Sequence, residues 1–239
     1  MLSFNIGTYA AHDAQELARL LGEARADIIC LQELVWIENQ PAVTSLMQTL
    51  QTPYSAIGMS INTQNHTLVL SRYPILQSYT LTELQNSGLI AKIETNLGCI
   101  TLAAIHLATS PEKSRLKELS QVLGIIDDPS APFVIIGDLN AISKGDPVSY
   151  SAAPEELPTY DVTETIKKAG FTDTGYESST VFTPTVSLTR DAGIEYHNLR
   201  LDYIYVNRAL SNHKFEYHVL ATDNPYNLSD HLPIVTTVY

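Results

Sequence analysis

The feature that most constrains this chain is an apolar run at residues 133–136, Phe-Val-Ile-Ile, followed at once by Gly137, Asp138, Leu139 and Asn140. A short apolar run that ends in a glycine predicts a buried strand that stops at the rim of a sheet. Because strand side chains alternate, we expect Asp138 and Asn140 to point the same way at that rim. Such a pair can hold a water molecule, a metal ion or a phosphate group.

Short strands of this kind recur along the chain. Apolar or alternating runs predict strands at residues 2–6, 26–31, 54–59, 68–70, 89–94, 99–106, 201–206, 215–220 and 234–238. Helical spacing predicts helices at residues 13–24, 41–50, 111–126 and 163–169. Strands outnumber helices, and the helices fall between groups of strands. This order favours an α/β fold of two packed sheets with helices outside, in one domain spanning residues 1–239.

The composition and charge limit the classes of protein that fit. A hydrophobic content of 44% with 17% charged residues is typical of a soluble globular protein. No apolar run has the length of a membrane span and no signal peptide is visible, so we expect a cytoplasmic location, although a processed secreted form would look the same. The net charge of −12 argues against a broad basic face for nucleic acid, but leaves room for a local basic groove or bound metal ions.

Several predicted strands end in polar side chains that a buried strand does not require. These side chains are Asn5, Glu33, His106, Asp138, Asn140, Asp202, Asp230 and His231. Taken singly, most of them have an ordinary explanation as a turn cap, a surface charge or a half-buried histidine. Asp202 is harder to explain in this way, because it lies inside the apolar run Leu-Asp-Tyr-Ile-Tyr-Val. Burying its carboxylate without a partner would cost several kcal/mol of folding free energy.

Taken together, these residue types indicate one chemistry. Carboxylates and an asparagine offer oxygen ligands that suit a hard cation such as Mg²⁺, whereas zinc would require more histidine or cysteine. Histidines beside carboxylates supply hydrogen-bond donors and proton transfer. Phosphoester hydrolysis needs this combination of a metal ion, a group that orients water and donors for the developing charge.

The motifs also resemble a known family, and they occur in the right order over nearly the whole chain. They are Phe4-Asn5-Ile6, Leu31-Gln32-Glu33, Leu70-Ser71-Arg72-Tyr73-Pro74-Ile75, Ile105-His106-Leu107, Gly137-Asp138-Leu139-Asn140, Arg200-Leu201-Asp202-Tyr203-Ile204 and Ser229-Asp230-His231-Leu232-Pro233. This set is similar to that of the endonuclease/exonuclease/phosphatase superfamily of Mg²⁺-dependent phosphoesterases. The resemblance implies a DNase I-like, four-layer α/β sandwich, in which helices flank two mixed, mostly antiparallel sheets. It also implies Mg²⁺ as the cofactor, with Mn²⁺ able to substitute.

The resemblance implies a metal site and a water-orienting pair. Glu33 would be the principal Mg²⁺ ligand, and Asn5 beside it would contact the metal or the phosphate. Asp230 would be a metal ligand or would help to place a second ion. Asp138 would orient or deprotonate the attacking water, while Asn140 would steady both Asp138 and the phosphate.

The resemblance also implies roles for the remaining three residues. His231 would bind the scissile phosphate and transfer a proton, and Asp202 would hold it in orientation. His106 would donate a hydrogen bond to a phosphate oxygen or assist the leaving group.

The sequence does not select one substrate within this reaction class. Leu34-Val35-Trp36 after Glu33, and a histidine at position 106, depart from the abasic-site enzymes, and inositol polyphosphate 5-phosphatase motifs are missing. In pancreatic-type DNases a glutamate before the Ser-Arg-like strand pairs with the first histidine. Residues 58–67 of this chain carry no carboxylate that could pair with His106 in this way. The expected partner is a phosphoester, with nucleic acid and a phospholipid head group or small molecule as alternatives, and no protein partner is predicted. A non-catalytic binding module is disfavoured because every expected site position is occupied.

Overall fold

Two six-stranded sheets form the centre of the molecule. The computed structural model describes residues 1–7, 14–35, 40–147, 149–150, 159–178, 183–186, 196–197, 199–220 and 228–239. In chain order its strands are β1 (Leu2–Asn5), β2 (Ile28–Leu34), β3 (Tyr54–Gly58), β4 (His66–Ser71), β5 (Ile75–Thr80), β6 (Ser87–Thr95), β7 (Gly98–His106), β8 (Phe133–Asp138), β9 (Ser149–Tyr150), β10 (Phe171–Asp173), β11 (Tyr196–His197), β12 (Asp202–Asn207), β13 (Phe215–Val219) and β14 (Ile234–Val238). Its helices are α1 (Ala14–Ala24), α2 (Gln40–Leu50), α3 (Glu112–Gly124), α4 (Asp161–Lys168) and α5 (Thr174–Ser178).

Each large sheet contains one parallel pair within an otherwise antiparallel arrangement. The first sheet has the order β13-β14-β1-β2-β4-β3, and the second has the order β10-β12-β8-β7-β6-β5. The parallel pairs are β1 with β2 and β7 with β8. A small third sheet pairs β9 with β11. The carboxyl ends of each parallel pair lie at one edge of their sheet, and they carry the predicted site residues.

Three apolar layers hold the sheets and helices together. The layer between the two sheets includes Cys30, Val69, Val134, Ile136 and Ile204, all of them fully buried. A second layer packs α1 and α2 on the first sheet, and a third packs α3 and α4 on the second. The predicted four-layer α/β sandwich with two mixed sheets is therefore confirmed.

Most predicted elements are present, but several boundaries differ, and strands β5, β9, β10 and β11 and helix α5 were not predicted. Strand β2 continues past the predicted end at Leu31 to Leu34, so Glu33 lies within the strand. Strand β5 was not predicted, because residues 76–79 are exposed and give no core-facing pattern. The predicted helix start at Asp13 lies outside the described residues. Within the described part of the chain, every helix is too short or too polar to cross a bilayer.

Gly137 allows β8 to lie close to β7 directly before Asp138. Its φ is 140°, and a Cβ placed there would lie 1.8 Å from the carbonyl oxygen of Ile105. Any side chain would therefore force the two strands apart. Because Ile105 pairs with Gly137 and His106 pairs with Asp138, this close approach determines how the two polar strand ends meet.

Candidate active site

Three predicted site residues form one row across neighbouring strands of the second sheet. His106 on β7 pairs with Asp138 on β8, and Asp138 pairs with Asp202 on β12. Residues that are directly opposite each other in a sheet point to the same face. Asp138 also lies two residues beyond Ile136, which packs between the sheets, so the row faces the inter-sheet layer. The candidate site is thus the polar end of that layer.

The first sheet contributes Asn5 and Glu33 from the ends of its parallel strands. Alternation along β2 from the inward-facing Cys30 would turn Glu33 away from the other sheet. The register between β2 and β4 shifts between Leu31 and Leu34, and Glu33 has a φ of +62°. Positive φ is uncommon for a residue with a side chain, and bulges redirect side chains at functional sites. The irregularity brings the Glu33 carboxylate to the site.

Asn5 connects the two sheets through its side-chain amide. Its Nδ2 donates to Glu33 Oε1 at 3.1 Å and to Asp138 Oδ2 at 3.0 Å, while its Oδ1 accepts the N–H of Gly7 at 3.0 Å. Asn5 is buried, whereas 22% of the Glu33 side chain remains exposed. One carboxylate therefore opens toward solvent beside a second that is held inside.

Asp138 lies at the centre of the cluster. Its Oδ1 accepts the backbone N–H of Asn140 at 2.8 Å. Its Oδ2 lies 3.5 Å from His106 Nε2 and 3.7 Å from His231 Nε2. His106 Nε2 is also 3.9 Å from Glu33 Oε1. Two imidazoles therefore face the same carboxylate oxygen in a nearly dry environment.

His231 and Asp202 form a buried hydrogen-bonded pair. His231 Nδ1 lies 2.8 Å from Asp202 Oδ2. Burial alone would lower the pKa of His231, but the carboxylates of Asp202 and Asp138 outweigh it and raise the pKa to about 10. We therefore expect a cationic imidazole at neutral pH, with Nδ1 donating to Asp202 and Nε2 free to donate to a ligand.

Two hydroxyl groups that the sequence reasoning missed position this pair. Ser229 Oγ donates to the carbonyl oxygen of Asn5 at 2.6 Å and accepts the N–H of His231 at 3.0 Å. Thr185 Oγ1 accepts the N–H of Asp202 at 3.2 Å. The Ser-Asp-His motif contains Ser229 and could have indicated it, whereas the local sequence around Thr185 gives no such signal.

Asn140 and Asp230 are placed differently from the other predicted residues. Strand β8 ends at Asp138 and Asn140 has a φ of +47°, so the expected alternation does not set the direction of its side chain. Asn140 Nδ2 instead donates to the carbonyl oxygen of Leu107 at 3.0 Å. Asp230 is half-buried, and within the described residues no hydrogen bond or ion pair joins it to Glu33 or Asn5. Its charge nevertheless contributes to the raised pKa of His231.

Two groups of side chains could be considered for a metal ion. Asp138, Asp202 and His231 each offer a ligand atom, and these atoms lie within 4.8 Å of one another. A histidine must be neutral to bind a metal, however, and the pair with Asp202 favours the cation. Glu33 and Asn5 offer oxygen atoms of the kind that hard cations prefer, and the partly exposed Glu33 carboxylate is accessible. The donor set around Glu33 therefore fits a hard divalent cation better.

The fold and the site together define a class of protein. An α/β sandwich whose inter-sheet layer ends in three carboxylates, an amide and two histidines is equipped for phosphoester hydrolysis. The chain matches the sequence profile of the Endonuclease/Exonuclease/phosphatase family over residues 2–231. No curated protein sequence matches the chain.

Three solved structures illustrate the proteins whose fold is similar to that of this chain. An AP endonuclease from Archaeoglobus fulgidus is 17% identical, with a TM-score of 0.78 and coverage of 99% of this chain and 98% of the other. The 3′ phosphatase NExo from Neisseria, solved with a product DNA hairpin, is 18% identical, with a TM-score of 0.75 and coverage of 100% and 98%. Truncated TDP2 from Caenorhabditis elegans is 19% identical, with a TM-score of 0.70 and coverage of 100% and 96%. At these identities the likeness shows the fold.

The chain belongs to the endonuclease/exonuclease/phosphatase family. Members of this family are phosphoester hydrolases and generally use divalent metal ions. The protein is accordingly an enzyme of the phosphoester hydrolase class.

Proposed function

We propose that the protein hydrolyses phosphodiester bonds with the help of Mg²⁺, by in-line attack of a water molecule. The observation that carries the proposal is the position of Asp138, which shares the amide of Asn5 with Glu33 and faces two histidines. A metal-binding carboxylate, a water-orienting carboxylate and two donors for phosphate are thereby gathered at one rim.

Glu33, Asn5 and Asp230 would hold the metal ion. Glu33 is the principal ligand in this proposal, because its carboxylate is partly exposed and accepts only one hydrogen bond at Oε1 from the described residues. The Asn5 oxygen keeps a second lone pair beside the Gly7 bond. A bound Mg²⁺, or Mn²⁺ in its place, would neutralise phosphate charge and polarise the phosphoryl group.

Asp138 orients and deprotonates the water. The backbone N–H of Asn140 fixes Oδ1, while Oδ2 accepts the Asn5 amide and keeps a second lone pair that would take a proton from the nucleophile. Asn140 is held in turn by the carbonyl of Leu107, and its second amide hydrogen is available to a phosphate oxygen. Pre-oriented groups of this kind do not have to reorganise during the reaction.

The two histidines act on the phosphate. His231 donates from Nε2 to a phosphate oxygen and can transfer a proton, while Asp202 keeps its ring charged and correctly oriented. His106 presents Nε2 to the same region and donates to a phosphate oxygen or to the leaving group. Both donors lie within 4 Å of Asp138 Oδ2, on the side where the phosphate would sit.

Substitution of the central residues tests the proposal. Asp138→Asn and His231→Ala should each lower turnover of bis(4-nitrophenyl) phosphate with Mg²⁺ by about 10²- to 10⁴-fold without unfolding the protein. EDTA should abolish wild-type activity, and added Mg²⁺ or Mn²⁺ should restore it. The exposed Asp127 offers a matched control, because Asp127→Asn should leave turnover unchanged. Near-normal turnover by either site variant would contradict the proposal.

A substrate panel would distinguish the remaining alternatives. Single- and double-stranded DNA, RNA, sphingomyelin and inositol phosphates should each be offered with Mg²⁺. The net charge of −12 disfavours binding that depends on a long basic track, so a strong salt dependence of cleavage would indicate a local basic groove and favour a nuclease. Cleavage of lipid or small diesters with little salt dependence would favour the other branch.

A further inference from the structure

The ring of His106 faces Asp138 and Glu33 through Nε2 but is not held by a hydrogen bond at its other nitrogen. Its Nδ1 is buried and has no hydrogen-bond partner among the residues that the structure describes. The ring of a metal- or phosphate-facing histidine is usually fixed by a bond to the other nitrogen. The main chain that carries His106 therefore takes a larger part in determining where Nε2 lies.

A carboxylate from helix α3 fixes that main chain. Glu118 is only 4% exposed, and its Oε2 accepts the N–H of Ala108, two residues after His106, at 2.8 Å. Its Oε1 accepts the N–H of Gln85, also at 2.8 Å. Gln85 lies two residues before Ser87, which pairs with His106 in the sheet. Glu118 thus connects the segment that follows His106 to the segment that precedes the neighbouring strand β6.

Further bonds make the same segment rigid. Asn86 Nδ2 and Asn140 Nδ2 both donate to the carbonyl of Leu107, at 2.8 and 3.0 Å. Arg115, one turn before Glu118 on α3, donates to the carbonyl of Ala108. Side chains from the inner face of α3 and from two asparagines therefore hydrogen-bond to the main chain that follows His106.

The charge on Glu118 requires such compensation. Burial raises the pKa of Glu118, and the N–H groups of Gln85 and Ala108, with the nearby His106 and Arg115, offset this only in part. A buried carboxylate is expensive unless hydrogen bonds and charges offset the loss of water. Its partners here all belong to the segments around His106 or to α3 itself.

We propose that Glu118 is a positioning residue for His106, acting through the Ala108 and Gln85 amides rather than on the substrate. The inference rests on the proposed function, in which His106 donates to the phosphate or the leaving group. Glu118 supplies from α3 a carboxylate that controls His106, although residues 58–67 contain none.

A double-mutant cycle with His106→Ala tests this role on bis(4-nitrophenyl) phosphate with Mg²⁺. Glu118→Ala should lower kcat by about 10- to 100-fold, with a smaller change in KM, and Glu118→Gln, which keeps one acceptor, should lower it less. In the His106→Ala background the same changes should alter kcat by less than about 2-fold, because the residue through which Glu118 acts is gone. Glu83→Gln removes an exposed carboxylate from the same connection as Gln85 and should have no effect. Equal losses in both backgrounds would overturn the proposal.

Amide exchange gives a readout that does not depend on turnover. Glu118→Ala should speed exchange at Ala108 and Gln85 while leaving the strand amides of β8 protected. Unchanged exchange at Ala108 would overturn the positioning role, whereas a wild-type protein that cleaves no diester would contradict the proposed function instead. If Glu118→Ala fails to fold, Glu118→Gln and Asn86→Ala decide the question in the same cycle. Coupling of both to His106 supports the proposal, and additivity overturns it.

Discussion

Asp202→Asn would remove the charge that holds His231 in its cationic form. The two side chains meet at 2.8 Å in a buried position, and the pKa of His231 is about 10 against an ordinary value of 6.5. One pKa unit corresponds to about 1.4 kcal/mol, so the site as a whole favours the cation by about 5 kcal/mol, and the carboxylates contribute more than this because burial opposes them. Asp202 is closer to the ring than Asp138, which lies 3.7 Å away, so its loss should account for more than half of this. We expect the pKa of His231 to fall by about 3 units.

The direction of the pH effect follows from the raised pKa. A histidine whose pKa rises on folding stabilises the native state fully below its unfolded pKa of 6.5 and loses that contribution as the pH rises toward 10. Wild-type stability should therefore decline between pH 7 and 10 through this group. In Asp202→Asn the decline should move to lower pH, and the variant should be nearly insensitive to pH above 8. Urea unfolding at several pH values measures this change.

Activity and NMR provide the decisive comparison. If cationic His231 binds phosphate, kcat/KM of the wild type should persist to pH 9, whereas Asp202→Asn should lose activity as the pH rises through about 7. Ring-nitrogen shifts of His231 should report the same two pKa values. A neutral His231 in the wild type at pH 8, or a variant with an unmoved pH profile, would refute the reasoning. Asp127→Asn, an exposed acid, serves as the control for a simple loss of charge.

Three further substitutions test the framework of the site. Gly137→Ala places a Cβ 1.8 Å from a backbone oxygen and should lower the unfolding free energy by more than about 3 kcal/mol. Gly22→Ala, in open space on α1, is the control and should be neutral or stabilise the protein by up to about 1 kcal/mol. Similar stabilities of the two variants would contradict the close-approach argument. Asp146→Asn weakens the buried pair in which Asp146 accepts from Arg200 at 3.0 and 3.1 Å, while Asp173 stays 2.7 Å from the same guanidinium. The change should cost about 1 to 3 kcal/mol in urea unfolding, and a loss below about 0.5 kcal/mol would show that the pair is replaceable. Ser229→Ala leaves the buried N–H of His231 without its acceptor, so it should lower the unfolding free energy by about 1 to 3 kcal/mol and lower kcat more than it changes KM. Unchanged kinetics would show that the hydroxyl does not position the site.

The sequence predicted the rim of the site because its pattern is local. An apolar run fixes a strand, and a polar residue just past the run must lie at the strand end, as for His106 and Asp138. The direction of Glu33 could not be predicted, since a register shift against β4 and a positive φ reverse the alternation that its neighbours obey. Asn140 was predicted to point with Asp138, but the strand ends before it.

The contacts of Glu118 with main-chain amides could not be predicted from a local sequence pattern. Glu118 occupies the inner face of a helix, where a single acid gives no indication of which amides it will meet. The partners are determined only when α3 packs on the second sheet and brings Ala108 and Gln85 to the same carboxylate. Strand β5 was missed for a related reason, since an exposed edge strand has no core-facing alternation to detect.

The chemistry depends on how the two sheets pack, because each sheet holds a different part of the site. In β7 and β8 the residues that fill the inter-sheet layer point to the same face of the strand as the polar residue at its end. Ala104 and His106 are two residues apart, as are Ile136 and Asp138. Such an apolar layer is close-packed, so a change of one methylene group within it shifts its neighbours. Glu33, the proposed metal ligand, belongs to one sheet, and Asp138, the residue proposed to orient water, belongs to the other. Among the described residues, Asn5 alone donates to both carboxylates. Core substitutions in the inter-sheet layer should consequently reduce turnover before they unfold the protein, because a small shift between the sheets separates these two carboxylates.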